Sequence, residues 1–363
     1  MFTIEMLPAD HGDCLWITYG DQNKQYRILI DGGTPHAYKN YLRRRLAALP
    51  AKERRFELLI VTHIDADHIG GSLDMLRELD DLKLTFGDVW FNGWEQIAGS
   101  TLGEMQGEQL SARLRDGERA GVLAWNKAFK KRAAVVPENG ALPSRQLKGG
   151  MKLTLLSPTK ANLTSLKSSW EKVIKAAGLI PGQIEDERKG GVKARRGILG
   201  GEMIDVEELS GIGFKSDKAV ANGSSIAILA EYLDKRLLLT GDAYATVLKD
   251  SIGRLLAERK LKRLSLDAFK IPHHGSRGNL SNDLLAQLDC KHYLFSTNGN
   301  IFKHPDRESV ARVIMHGGRK PKLLFNYRTG FNEMWDDMQL IREYGYAVKY
   351  CKKTGEGILS LTL

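Results

Sequence analysis

Cysteine is scarce. Cys14, Cys290 and Cys351 are three in number and far apart, so neither a disulfide framework nor a cysteine-rich metal site follows from them. No apolar run approaches the roughly 20 residues needed to span a bilayer. The opening MFTIEMLPAD lacks a basic segment followed by a long apolar one, as a secretory signal would require. The expectation is a cytoplasmic protein without membrane insertion. There is no internal repeat, coiled coil or low-complexity tract, and proline is modest at 10 residues. What is present is glycine, at 37 residues, and 42% hydrophobic content in a 363-residue chain. That suits a loop-rich enzyme with a large core and not a fibrous or disordered chain. The formal charge of +10 and pI of about 9.3 favour a polyanionic partner without identifying one.

Short apolar runs alternate with helical patterns, which points to a layered α/β chain. Strands are expected at Phe2–Met6, Cys14–Tyr19, Arg27–Ile30, Phe56–Val61, Asp88–Asn92, Met151–Ser157, Ser224–Ala230, Arg236–Thr240, Ala268–Ile271 and Lys291–Ser296. Three more are expected in the tail, at Lys322–Tyr327, Ala347–Cys351 and Ile358–Leu363. Helices are expected at Tyr38–Leu49, Ile69–Leu79, Glu104–Lys131 and Ala243–Lys260, with Ser281 and Asp306 as caps of two more.

The stretch Ile60–Gly71, IVTHIDADHIGG, places His63, Asp65, Asp67 and His68 directly after an apolar run. Imidazoles and carboxylates are borderline and hard metal ligands. Asp242 and the His273–His274 pair also stand at the ends of apolar runs, where layered α/β folds gather active-site residues. His63 and Asp65 are two apart and face the same way on an extended segment. Asp67 and His68 are adjacent and need a bend to converge, which Gly70 and Gly71 make accessible. A carboxylate has two oxygens, so Asp242 can bridge two ions. His273 or His274 would complete a second site. A hydrolytic metal centre is the leading reading.

These residues resemble the metallo-β-lactamase superfamily, in which HxHxDH is followed by a metal-ligand histidine, a bridging aspartate and a last histidine. The first motif here is His63-Ile-Asp65-Ala-Asp67-His68, with Asp65 at the usual second histidine. Asp242 in LLLTGDA matches the bridging aspartate, and one member of KIPHHGS the last histidine. Within the superfamily the pattern is similar to the branch containing the nuclease-like domain of the DNA-uptake channel protein. The matching residues are Gly12-Asp13, Ile30–Gly33, Thr62–Gly71, Asn222–Ser225, Gly241-Asp242, His273–Ser276 and His304-Pro305. No channel region accompanies them, so a DNA-transport role is not expected.

The resemblance implies an α/β fold, a four-layered αββα sandwich of metallo-β-lactamase type with inserted loops and helices. It implies one hydrolase domain over 1–363, with insertions near 95–148 and 159–216. It also implies two divalent ions, zinc or manganese, about 4 Å apart, that lower the pKa of a bridging water and hold the attacking hydroxide. Asn222-Gly-Ser-Ser225 contains no histidine where the family has one. The first site would then use His63, Asp65 and Asp242, aided by solvent or Asn222, and would suit manganese as well as zinc. The second would use Asp67, His68, Asp242 and His273 or His274. Asp67 would orient the hydroxide, and the non-ligand member of the histidine pair, or His304, would act as proton donor. Asp13 and Asp31 would brace the ligands. Ser276 and Asn298 would touch substrate.

Such a centre can hydrolyse an ester, amide, thioester or phosphodiester. Basic charge and the likeness to the nuclease-like branch favour a phosphodiesterase or nuclease acting on DNA or RNA. Lys189, Arg195 and Arg196 in DERKGGVKARRGILGG, the Arg254–Arg263 segment and Lys270 would then touch backbone phosphates. Trp90, Phe91 and Trp94 would offer a stacking surface, although core packing suits their spacing better. One alternative is a hydrolase of small esters, phosphorylcholine esters or lactones, with a narrow pocket and little salt dependence. Another is a nucleic-acid-binding module with an inactive metal site.

Overall fold

The computed structural model describes residues 1–98, 105–176, 204–351 and 357–363. The first strands are β1 (Phe2–Met6), β2 (Leu15–Gly20), β3 (Gln25–Ile30), β4 (Arg55–Phe56), β5 (Leu58–Ile60), β6 (Thr85–Phe86) and β7 (Val89–Trp90). Next come β8 (Ser144–Gln146), β9 (Lys152–Ser157), β10 (Ala227–Tyr232), β11 (Lys235–Leu239) and β12 (Leu264–Lys270). The last are β13 (Leu288–Phe295), β14 (Lys322–Phe325), β15 (Ala347–Tyr350) and β16 (Leu359–Thr362). One sheet runs β16-β1-β2-β3-β5-β7 and the other β15-β14-β13-β12-β11-β10-β9-β8, while β4 and β6 pair on their own.

Side-chain alternation explains the layering. Leu15, Ile17 and Tyr19 of β2, Ile28 and Ile30 of β3, and Leu58 and Ile60 of β5 point into one core. The intervening Trp16, Leu29 and Leu59 point into a second. The first core lies between the sheets: it joins Ile4 and Ile17 to Leu155, Leu229 and Leu238, and the ring of Tyr19 sits 5.4 Å from that of Tyr232. The second core lies outside the first sheet, under the helices Ala66–Arg77 and Met105–Arg119, which contribute Ile69, Leu73, Leu110 and Leu114. Helices Ala245–Arg259, Asn282–Ala286 and Arg307–His316 accompany the second sheet. The result is the expected four-layered α/β sandwich.

Most expected elements fall where the periodicity places them, with informative exceptions. The helix expected from Ile69 begins at Ala66, so Asp67 and His68 lie in its first turn. Helical rotation there, and not the glycines, supplies the bend. Gly71 serves the close approach of helix to strand that its type suggests: a Cβ on it would lie 2.1 Å from the Gly32 carbonyl oxygen. The expected Asp88–Asn92 strand contracts to Val89–Trp90, and the helix expected to reach Lys131 ends at Arg119. Asp306 precedes its helix, but its carboxylate accepts the Arg277 N–H at 2.8 Å and leaves its own helix uncapped. Within 159–216, helices Lys160–Ala176 and Val206–Gly211 are formed. No helix among the described residues is long and apolar enough to cross a membrane.

The parallel pairing of β3 with β5, of β11 with β12 and of β12 with β13 aligns their carboxyl ends. Asp31, Thr62–Asp65, Asp242, Pro272–Gly275 and Ser296 all follow directly from these ends. This convergence builds the site.

Candidate metal centre

His63, His68 and His274 each have Nδ1 committed to the protein. His68 Nδ1 lies 2.8 Å from Asp31 Oδ2, and His274 Nδ1 lies 2.8 Å from the Ser296 carbonyl oxygen. His63 Nδ1 lies 3.0 Å from Thr62 Oγ1, whose own proton goes to Asp31 Oδ2 at 2.7 Å. Each partner accepts, so each Nδ1 carries the hydrogen and each Nε2 presents a lone pair. Yet the Nε2 atoms of His68 and His274 face one another at 3.2 Å. At that distance the two atoms must share a cation between them, a proton or a metal ion. Two imidazoles on one tetrahedral ion, with bonds of about 2.1 Å, would be about 3.4 Å apart.

Carboxylates close the cluster. Asp242 Oδ2 stands 3.4 Å from His68 Nε2, 3.7 Å from His274 Nε2 and 3.8 Å from the Nε2 atoms of both His63 and His273. Asp67 Oδ2 is 3.6 Å from His274 Nε2, and Asp65 Oδ2 is 3.5 Å from His63 Nε2. His63 Nε2 and Asp242 Oδ1 are buried without a hydrogen-bond partner among the described residues. Buried polar atoms seldom go unpaired. Their donor types and spacing fit divalent ions: Asp67, His68, His274 and Asp242 on one side, His63, Asp65 and Asp242 on the other.

The electrostatics ask for positive charge. Burial alone would raise the Asp242 pKa, but His68, His274 and His273 hold it well below the usual range. Burial alone would lower that of His68, but Asp242, Asp31 and Asp67 hold it well above. Behind the cluster, Lys270 is fully buried and donates to Asp13 Oδ2 at 2.6 Å and to the Ile271 carbonyl at 3.0 Å. The other Asp13 oxygen lies 3.5 Å from His274 Nδ1.

The histidine pair is held in uncommon backbone geometry. His273 and His274 have φ of 47° and 55°, and Gly275 follows at 93°. Left-handed conformations at non-glycine residues cost about 1–3 kcal/mol each and cluster at functional sites. His273 differs from His274 in its surroundings. Its Nδ1 meets Asn279 Oδ1 at 3.0 Å and Asn222 Nδ2 at 3.2 Å, with Asp217 Oδ2 at 3.6 Å. Burial opposes its protonation, but Asp242, Asp217 and Asn279 outweigh it and push the pKa up to about 9.

A sequence model of the metallo-beta-lactamase superfamily matches residues 7–299, a span that holds the cluster. The chain belongs to this superfamily. No curated protein matches the sequence significantly. Among solved structures, Zn(2+)-bound PqqB from Methylobacterium extorquens is 14% identical, with all of both chains covered and a TM-score of 0.42. YhfI of Bacillus subtilis, described as a metallo-beta-lactamase fold protein, is 11% identical over 99% of this chain and 100% of its own, with a TM-score of 0.41. An E377D mutant of the CmlA beta-hydroxylase is 12% identical with a TM-score of 0.42, and this chain spans about half of it (54%).

In this superfamily member the structure brings His63, Asp65, Asp67, His68, Asp242, His273 and His274 together, with Asp13 and Asp31 directly behind them. Asn222 contacts Asp217 and His273. His304 is buried, its ring 5.2 Å from that of His273 and its Nδ1 3.5 Å from Asp306 Oδ1. The Ser276 hydroxyl accepts Gly278 N–H and the Asn298 side chain accepts Asn300 N–H. Lys189, Arg195 and Arg196 lie outside the described residues. Lys270 is no phosphate contact, because its ammonium is buried on Asp13. Arg254 is bound to the carbonyls of Pro137 and Gly140, and Arg259 to Glu231. Trp90, Phe91 and Trp94 are no stacking surface: they are 1–3% exposed, and Trp94 packs against Trp170. Sequence reasoning missed Asp217 and Asn279, which lack a motif of their own and meet His273 only through the fold.

Proposed function

We propose that this chain is a metal-dependent hydrolase that acts on phosphodiesters. The observation that carries the hydrolase reading is the apposition of the His68 and His274 Nε2 atoms beside Asp242, each imidazole oriented by an acceptor on its far nitrogen. Divalent ions held there supply Lewis acidity and acidify water at neutral pH. Asp242 serves both ligand groups. Asp67, at the head of its helix, accepts a hydrogen bond from the attacking water in this reading. His273, anchored through Nδ1, presents Nε2 to the same space and donates a proton to the leaving oxygen. His304 packs edge-on to His273 and fixes its ring plane. The choice of phosphodiester rests on the net charge of +10 and on a motif order similar to the nuclease-like branch of the superfamily.

The test uses chelator-stripped full-length chain restored with zinc or manganese and offered bis(p-nitrophenyl) phosphate, labelled DNA and labelled RNA. Metal-restored hydrolysis that is lost in Asp242→Asn is expected. Hydrolysis confined to lactones or carboxylic esters would reject the phosphodiester reading. Metal-loaded, folded protein that hydrolyses none of these would reject the hydrolase reading as well.

A further inference from the structure

The loop from Asn298 to His304 carries an exposed aromatic ring at the cluster. Asn298 N–H ties one end to the Asp10 carbonyl at 2.7 Å, and Lys303 N–H closes the loop on its own Gly299 carbonyl at 3.0 Å. At its tip Ile301 and Phe302 are each 50% exposed. Isolated apolar residues on a surface are ordinary, but Phe302 is not isolated. Its ring lies 6.0 Å from His11 and 6.3 Å from His273, both edge-on, and stacks over His304 at 6.0 Å with planes 24° apart. His273 in turn reaches Asp242. The phenyl ring therefore meets imidazoles at the mouth of the centre, while the residue as a whole stays half exposed. The next residue, Lys303, is exposed. A half-exposed planar apolar surface at the mouth of the metal centre matches a substrate that carries an aromatic ring next to a phosphate.

We propose that Phe302 is a specificity-determining platform that stacks a planar aromatic substituent, a nucleobase or an aryl group, on the phosphodiester being cleaved. The assignment rests on the phosphodiesterase reading above. Stacking of one ring on an aromatic side chain corresponds to roughly 5- to 150-fold in binding.

The experiment compares wild type, Phe302→Leu and Phe302→Trp as metal-loaded full-length chains. Three diesters share the p-nitrophenolate leaving group and differ in the retained group: methyl, phenyl or thymidin-5′-yl. Metal content and circular dichroism are measured alongside. Phe302→Leu is expected to reduce kcat/KM on the phenyl and thymidinyl esters by at least tenfold more than on the methyl ester. Metal content should be unaltered, and Phe302→Trp should restore the preference. The better of the two aromatic esters distinguishes an aryl group from a nucleobase. Equal losses on all three esters, or none on any, would overturn the platform while leaving the phosphodiesterase reading standing. Wild-type protein that cleaves none of the three would overturn both.

Discussion

Replacing Asp31 by Asn tests whether the protein orients its imidazoles for metal. Asp31 is fully buried, and its carboxylate accepts three hydrogen bonds: from Thr62 N and Thr62 Oγ1, both at 2.7 Å, and from His68 Nδ1 at 2.8 Å. Its backbone φ is 57°, a region that asparagine tolerates well among non-glycine residues, so the substitution leaves the turn intact. An amide has one acceptor oxygen and one donor group. Whichever way it is oriented, its NH2 meets either the Thr62 N–H or the His68 Nδ1–H. The loss of charge also makes the His68 Nε2 lone pair less basic. Removing such an outer partner costs 10- to 100-fold in metal affinity, about 1.4–2.8 kcal/mol. The unpaired buried donor adds about 1–3 kcal/mol of lost stability. Competition with a chromophoric chelator measures the first and urea denaturation of the metal-free chain the second. Affinity within twofold of wild type in a folded Asp31→Asn protein would refute the claim that Asp31 sets the His68 tautomer for a metal.

Three further outcomes follow from the same geometry. Lys270→Met leaves Asp13 as an uncompensated buried charge and should destabilise by about 3–5 kcal/mol; Lys270→Met with Asp13→Asn should recover part of that in urea denaturation. Burial would raise the pKa of Glu231, but two bonds from Arg259, at 2.7 and 2.6 Å, and one from Arg236 hold it below the usual carboxylate range. That stabilisation is present above an unfolded-state pKa of about 4.3 and is lost as pH falls through the lower folded value. Glu231→Gln should therefore cost about 1–3 kcal/mol at pH 7, with the gap to wild type closing in acid denaturation profiles below about pH 4. His273→Gln should slow diesters with poor leaving groups, such as alkoxides, roughly 100-fold or more, and p-nitrophenyl esters far less. Equal slowing on both would remove His273 as the proton donor.

Much of this molecule was legible in its sequence because the signals were local. Alternation in Leu15–Tyr19 and Leu58–Ile60 marks strands that bury both faces, and THIDADH at the end of one of them marks ligands. The failures concern partners distant in sequence. Nothing local separates His273 from His274; the Ser296 carbonyl holds one and Asn279 with Asp217 the other, and only the fold supplies those neighbours. Lys270 reads as a free cation until the fold brings it to Asp13, 257 residues away. Trp90 and Trp94 read as core more readily than as platform, and only the fold decides it because burial is a tertiary property. The aromatic ring that does stand at the site, Phe302, is a lone residue in a loop with no periodicity to announce it.

The most direct measurement is calorimetric titration of the chelator-stripped chain with zinc or manganese, performed on wild type, His63→Ala and His274→Ala. Two equivalents per wild-type chain are expected, with one site lost or severely weakened in each variant, because the two histidines serve different ligand groups around Asp242. A wild-type chain that binds no ion, or variants that both retain two equivalents at unchanged affinity, would contradict the two-ion centre.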